Sequence, residues 1–98
     1  MTSIRWTIQY HPRVAEDFKR HTALKDKDFI LDTIEKRLST EPDKMGKPLG
    51  SILTGYRRIR ISKYRVIYEV RKNIVTVYVL IVDRREDVYQ EVFRRLGL

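Results

Sequence analysis

The sequence predicts an α+β domain in which two N-terminal helices pack on a small, mostly antiparallel β-sheet and a short C-terminal helix closes the chain. An alternating apolar pattern opens the chain, two stretches of helical period follow, and from Tyr56 onward the residues turn β-branched and aromatic. A chain of 98 residues has room for one core rather than two, so residues 1–98 read as a single domain.

From Ser3 to Tyr10, Ile4, Trp6, Ile8 and Tyr10 alternate with Arg5, Thr7 and Gln9, the period of a strand with one buried face and Trp6 in the core. Pro12 suits the first turn of a helix whose apolar edge is Val14 and Phe18 and which fades near His21. A second helix follows, capped by Asp26 or Asp28, with Ile30, Ile34 and Leu38 in a stripe joined by Phe29 and Leu31; Pro42 ends it. Glu41 to Gly55 carries Pro and Gly throughout and reads as a loop. Three strands are then expected: Tyr56 to Ile61, Tyr64 to Val70 and Ile74 to Val82. Tight turns at Ser62-Lys63 and Lys72-Asn73 join them, with Asn73 suited to a positive φ. The last strand is apolar on both faces, so it should be covered on both sides. Val88, Val92 and Leu96, flanked by Tyr89 and Phe93, predict the C-terminal helix, closed by Gly97.

Composition excludes several classes of function. There is no Cys and there are only two His, so neither a disulfide framework nor an ordinary metal site is expected, and no cofactor is called for. No apolar run approaches the roughly 20 residues that span a bilayer, and no signal peptide opens the chain. A cytoplasmic protein without a membrane partner is the expectation. Between Lys44 and Lys72, nine basic residues stand against one acid, Glu69, so a stretch of 29 residues carries the whole net charge of +8. An excess concentrated in this way suggests a polyanionic partner.

With Ser62-Lys63 as a two-residue turn, Ile61 faces Tyr64, Arg60 faces Arg65, Ile59 faces Val66 and Arg58 faces Ile67. Apolar residues then share one face of the hairpin, and Arg58, Arg60 and Arg65 share the other. Like charges across a ladder cost roughly 0.2–1 kcal/mol. The face is either a solvated Arg-rich surface or an anion site. The second accounts for the arrangement better, because guanidinium groups offer paired donors to phosphate oxygens.

A second constellation, Arg84, Arg85 and Tyr89, follows the last strand. Arg85 and Tyr89 are four apart and can point the same way on a helix. Tyr89 either belongs to the buried stripe with Phe93 or stacks on an unpaired base. His11 and His21 read as surface or capping residues. Glu69 shares the arginine face, diagonal to the cluster, and reads as an ion-pair partner rather than a base. Asp83, Glu86 and Asp87 are too mixed with Arg to suggest a metal site.

The runs Lys47-Pro48-Leu49-Gly50, Gly55-Tyr56-Arg57-Arg58-Ile59-Arg60-Ile61, Tyr64-Arg65-Val66-Ile67-Tyr68-Glu69-Val70 and Val82-Asp83-Arg84-Arg85-Glu86-Asp87-Val88-Tyr89 resemble the RelE/ParE superfamily of bacterial toxins, in its RelE-like branch. The resemblance extends over essentially the whole chain. It implies a type II toxin held inactive by a cognate antitoxin. In the RelE branch such a toxin enters the ribosomal A site and cuts mRNA without a metal, by attack of the ribose 2′-OH on the adjacent phosphate. By position the resemblance assigns Arg65, Arg85 and Tyr89 to catalysis, with Arg58, Arg60, Lys47 and Arg84 holding RNA or phosphate. Related toxins carry Lys, or a His/Glu pair, where a proton must move. This chain has Arg58 and Arg60, and Arg84 where His is common; a guanidinium is a poor base. The alternatives are a ParE-like poison of DNA gyrase and an inactive member that only binds antitoxin or nucleic acid.

Overall fold

The computed structural model describes residues 4–86 and 88–98. The expected start of the first strand at Ser3, and Asp87 of the last motif, lie outside them. Strand β1 spans Thr7–Tyr10, helix α1 Val14–Arg20 and helix α2 Lys27–Leu38. Strands β2 (Lys47–Pro48), β3 (Tyr56–Ile61), β4 (Tyr64–Arg71) and β5 (Thr76–Asp83) follow, and helix α3 covers Val88–Leu96. The sheet order is β1-β5-β4-β3-β2, with β1 parallel to β5 and every other pair antiparallel. Among the described residues no helix is long and apolar enough to cross a membrane.

The β3–β4 hairpin has the register read from the sequence, Ile61 opposite Tyr64 through Arg58 opposite Ile67. Ser62 takes the positive φ of the turn. The second turn differs from expectation. β4 runs on to Arg71, which pairs with Thr76, leaving four residues to be spanned rather than two. Lys72–Ile74 form a 3-10 turn, and Val75 rather than Asn73 is left-handed, at φ 49°. β1 is shorter than its alternating pattern. Its ladder begins where Thr7 meets Thr76, while the Trp6 N–H turns aside to the Ser39 carbonyl at the end of α2, 2.7 Å away. Ile4 is therefore exposed and Trp6 only half-buried, against the expectation of a core position.

Two apolar layers result. On one face Val14 and Phe18 of α1 and Ile30, Ile34 and Leu38 of α2 pack on Ile59, Ile61, Tyr64, Val66, Tyr68, Val77, Val79 and Val82. On the other, Val88 and Val92 of α3 pack on Leu53, Ile67, Leu80 and Ile81. A register shift between Ile67 and Tyr68 leaves Leu80 as the extra residue of β5, so Leu80 and Ile81 both reach the α3 layer. β5 is thus covered on both faces, as its apolar run requires. Phe29, expected in the α2 stripe, is instead 59% exposed. Asp26 stands at the α2 N-cap without capping it, because its carboxylate accepts the Tyr64 hydroxyl at 2.7 Å.

Candidate nucleic-acid interface

Arg60 and Arg65 lie directly opposite each other in the β3–β4 ladder, and Arg58 stands two residues along on the same face. The alternation that buries Ile59, Ile61, Tyr64 and Val66 under α1 and α2 turns these three arginines toward the α3 side. α3 covers only part of that side. It delivers Tyr89, half-buried against the α3 layer, whose hydroxyl accepts a hydrogen bond from Arg58 Nη1 at 3.0 Å. The ring therefore belongs to the α3 layer, the first of the two sequence readings of Tyr89, while its hydroxyl reaches the arginine face. Arg60 is exposed. Arg65 is held more tightly, 3.6 Å from Glu86 and donating to the Arg84 carbonyl at 3.4 Å.

Sequence reading left Glu41 to Gly55 as loop, and so missed β2. Lys47 pairs with Arg58 and Pro48 with Arg57, which adds Lys47 to the arginine face. Gly46 makes this possible: at φ +63° a Cβ there would sit 2.0 Å from the Arg58 carbonyl oxygen. The conjunction of Gly46 and Pro48 was the available signal.

The other basic residues of the stretch are engaged elsewhere. Arg57 Nε donates to the Met45 carbonyl at 2.8 Å. Lys63 lies over the Tyr64 ring, and Lys72 is 3.8 Å from Asp43. Arg71 pairs with Glu69 and stacks over Tyr78 at 4.5 Å, which makes Glu69 the ion-pair partner it was expected to be.

Arg85 and Tyr89 are not brought together as a helical pair, because α3 begins only at Val88. Arg85 instead grips the fully buried Asp83 carboxylate through Nε at 3.0 Å and Nη2 at 2.7 Å. Burial alone would raise the Asp83 pKa. Hydrogen bonds from the Arg85 side chain and N–H, helped by the fields of His21 and Arg85, hold it below the usual carboxylate range. Arg85 also borders a cleft of about 700 Å³ that it shares with Arg13, Glu16, Arg20, His21 and Arg94. Arg84 is exposed beside it. His11 lies just ahead of α1, where its Nδ1 accepts the Arg13 N–H at 3.0 Å; the N-cap itself is Arg13, which has no side-chain cap. Among the described residues no group of three or more His, Asp or Glu gathers where it could hold a metal ion.

The domain thus presents arginines and a tyrosine on one sheet face and two helices on the other, and the family match gives this arrangement its class, a small toxin of a toxin–antitoxin pair. Residues 8–89 match the family described as ParE toxin of type II toxin-antitoxin system, and the chain belongs to that family, within the RelE/ParE superfamily. It is 42% identical over 53 residues to Toxin RelG of Mycobacterium tuberculosis, a match covering 54% of this chain and 61% of RelG, less than two thirds of its length. The toxin–antitoxin complex RelBE2 of M. tuberculosis superposes with a TM-score of 0.76 at 27% identity, covering 88% of this chain and 98% of that one. An arginine mutant of Escherichia coli RelE in complex with an antitoxin RelBc peptide superposes at 0.62 and 21% identity, over 89% and 93% of the two chains, and shares the fold.

Proposed function

We propose that this toxin is a ribosome-dependent mRNA endoribonuclease of the cytoplasm, cleaving in the A site by metal-free attack of a ribose 2′-OH. The observation that carries the reading is the facing pair Arg60 and Arg65 beside Arg58, itself hydrogen-bonded to Tyr89. Cleavage builds negative charge on a five-coordinate phosphorus, and fixed guanidinium groups aimed at its oxygens stabilise that charge without having to reorganise. In this reading Arg65 is the charge stabiliser, Arg58, Arg60 and Lys47 hold the phosphates, Tyr89 stacks on the A-site base, and Arg84 and Arg85 extend the positive field toward the end of β5. Primer extension on an mRNA in a purified translation reaction tests it. Codon-spaced cuts only when ribosomes are present are expected, and intact mRNA under both conditions would overturn the reading.

The partner in this proposal is a cognate antitoxin, as in the RelBE complexes that share the fold. An acidic segment suits the arginine face. A groove of about 610 Å³ beside β1, floored by Tyr10, Phe29 and Leu31 and rimmed by Asp28, Asp32 and Glu35, suits an apolar segment with basic flanks. A second reading, a poison of DNA gyrase, is favoured by the ParE description of the matching family. It predicts inhibited supercoiling and accumulated gyrase–DNA cleavage complexes in place of cut mRNA.

A further inference from the structure

Building on the ribonuclease reading, we propose that Lys47 is the proton donor to the departing 5′-oxygen. Attack by the 2′-oxygen expels the 5′-oxygen of the following nucleotide as an alkoxide unless a proton arrives as the bond breaks. The three arginines of the face can stabilise charge, but a guanidinium does not give up its proton in proteins. An ammonium can.

Of the lysines in the basic stretch, Lys47 alone has the right place. Lys44 lies 3.8 Å from Glu41, Lys72 lies 3.8 Å from Asp43, and Lys63 sits over Tyr64 of the α1/α2 layer. Lys47 is the ladder partner of Arg58, and directly paired residues of a ladder share a face. It is exposed, and among the described residues no carboxylate pairs with it.

The backbone that carries Lys47 is fixed on several sides. Gly46 lies so close to β3 that a Cβ would meet the Arg58 carbonyl oxygen at 2.0 Å and Ile59 Cγ2 at 2.6 Å. Arg57 donates to the Met45 carbonyl at 2.8 Å and to the Gly46 carbonyl at 3.4 Å, tying down the residues just before Lys47. Beyond Pro48, the Leu49 N–H donates to the Tyr56 carbonyl at 2.9 Å. Met45 packs against the α1/α2 layer and Leu49 against the α3 layer, so the chain is anchored on both sides of the exposed Lys47 and Pro48. That anchorage sets Lys47 beside Arg58.

The step balances. The 2′-oxygen bonds to phosphorus while its proton passes to water, the P–O5′ bond breaks, and Lys47 Nζ gives a proton to O5′. The products are a 2′,3′-cyclic phosphate and a 5′-hydroxyl, and Lys47 is reprotonated by water.

The test compares wild type, Lys47→Arg and Arg65→Ala on ribosomes programmed with two mRNAs. One is ordinary; the other carries a bridging 5′-sulfur at the scissile phosphate, a leaving group that departs without a proton. Lys47→Arg keeps the charge, so it should bind programmed ribosomes as wild type does. It should cut the ordinary mRNA about 100- to 10,000-fold more slowly and the sulfur-linked mRNA at the wild-type rate. Arg65→Ala should be slow on both. Wild-type speed of Lys47→Arg on the ordinary mRNA, or an equal deficit on both, would overturn the donor role while leaving the ribonuclease reading intact. Failure of the wild type to cut either mRNA would overturn both.

Discussion

Asp17 of α1 and Arg95 of α3, 78 residues apart, form a two-pronged buried ion pair, with Nη1–Oδ2 at 2.7 Å and Nη2–Oδ1 at 2.6 Å. The same two side chains serve the sheet. β1 stops at Tyr10, and beyond it the Val82 N–H donates to Asp17 Oδ2 at 3.0 Å while Arg95 Nη1 donates to the Leu80 carbonyl at 2.9 Å. Two backbone groups that lack a strand partner are thereby satisfied, and the helices on opposite faces are joined around the end of β1. Glu91 braces Arg95 at 2.9 Å.

Breaking this pair should be costly. Asp17→Ala leaves the buried Arg95 guanidinium with Glu91 as its one remaining carboxylate and orphans the Val82 N–H, a loss of about 3 kcal/mol, the low end for a broken buried pair, from a domain total of about 5–15. Urea denaturation followed by circular dichroism checks it. The double variant Asp17→Leu/Arg95→Met should lose clearly less than the sum of the two single losses, because neither charge is then stranded. Additive losses would mean that the two residues act independently.

On the arginine face, Arg60→Ala should leave the unfolding free energy from urea denaturation within about 0.5 kcal/mol of wild type, since its side chain is exposed. Removing one of two facing cations also relieves their repulsion. Growth arrest on expression should nevertheless weaken. Arg85→Ala needs a different reading. It uncovers the buried Asp83 carboxylate, so lost toxicity counts for catalysis only at temperatures where the purified variant is shown to be folded. Toxicity equal to wild type in folded Arg65→Ala would remove the site.

Binding to single-stranded RNA should follow the same groups. On the proposed function, Arg58, Arg60, Arg65 and Lys47 would offer at most four phosphate contacts, so log affinity should fall by about 2.8 per tenfold rise in salt. Fluorescence anisotropy measures the slope, and each single alanine variant should reduce it by about 0.7. A flat salt response would show that the face does not bind phosphate.

Gly46→Ala tests the path of the chain into β2. The added methyl collides with backbone of β3 and the residue keeps a positive φ, so a loss of about 1–3 kcal/mol is expected from strain of this kind. The strand should shift away from Arg58, and RNA binding should weaken beyond the effect of Lys47→Ala alone. Wild-type stability would mean that β2 does not need this close approach.

The hairpin was legible because two independent constraints, apolar alternation and turn length, agree on a single register for Arg58 to Ile67. β2 was not, because two residues carry no period; the Gly46 and Pro48 that flank Lys47 hint at a special backbone path, and the close approach at Gly46 shows what it is. The left-handed Val75 runs against residue preference and follows from how far β4 extends. Asp17 and Arg95 left a trace that went unread. Asp17 falls three residues after Val14 and next to Phe18, and Arg95 three after Val92, so each charge sits inside an apolar stripe. A charge at such a position on each of two helices is what a buried pair looks like in a sequence. Arg85 was assigned to the α3 face from helical spacing, which does not apply ahead of Val88.

His11 gives the fold a dependence on mild acid. Burial lowers its pKa first, and the positive charges of Arg95 and Arg13 lower it further, against the weaker opposing pull of Asp17 and Glu91. Its Nδ1 must stay unprotonated to accept the Arg13 N–H at the start of α1. Above about pH 6.5, the ordinary value for histidine, the folded and unfolded chains both hold it neutral. As the pH falls through that value, the unfolded chain takes up a proton that the folded chain resists, so stability declines until the folded pKa is passed. The urea midpoint of the wild type should therefore drop between pH 7 and pH 5.5, by more than that of His11→Asn, which keeps an acceptor for the Arg13 N–H but does not titrate. Parallel curves for the two proteins over that window would remove the acid sensitivity from His11 and leave it only its hydrogen bond with the Arg13 N–H.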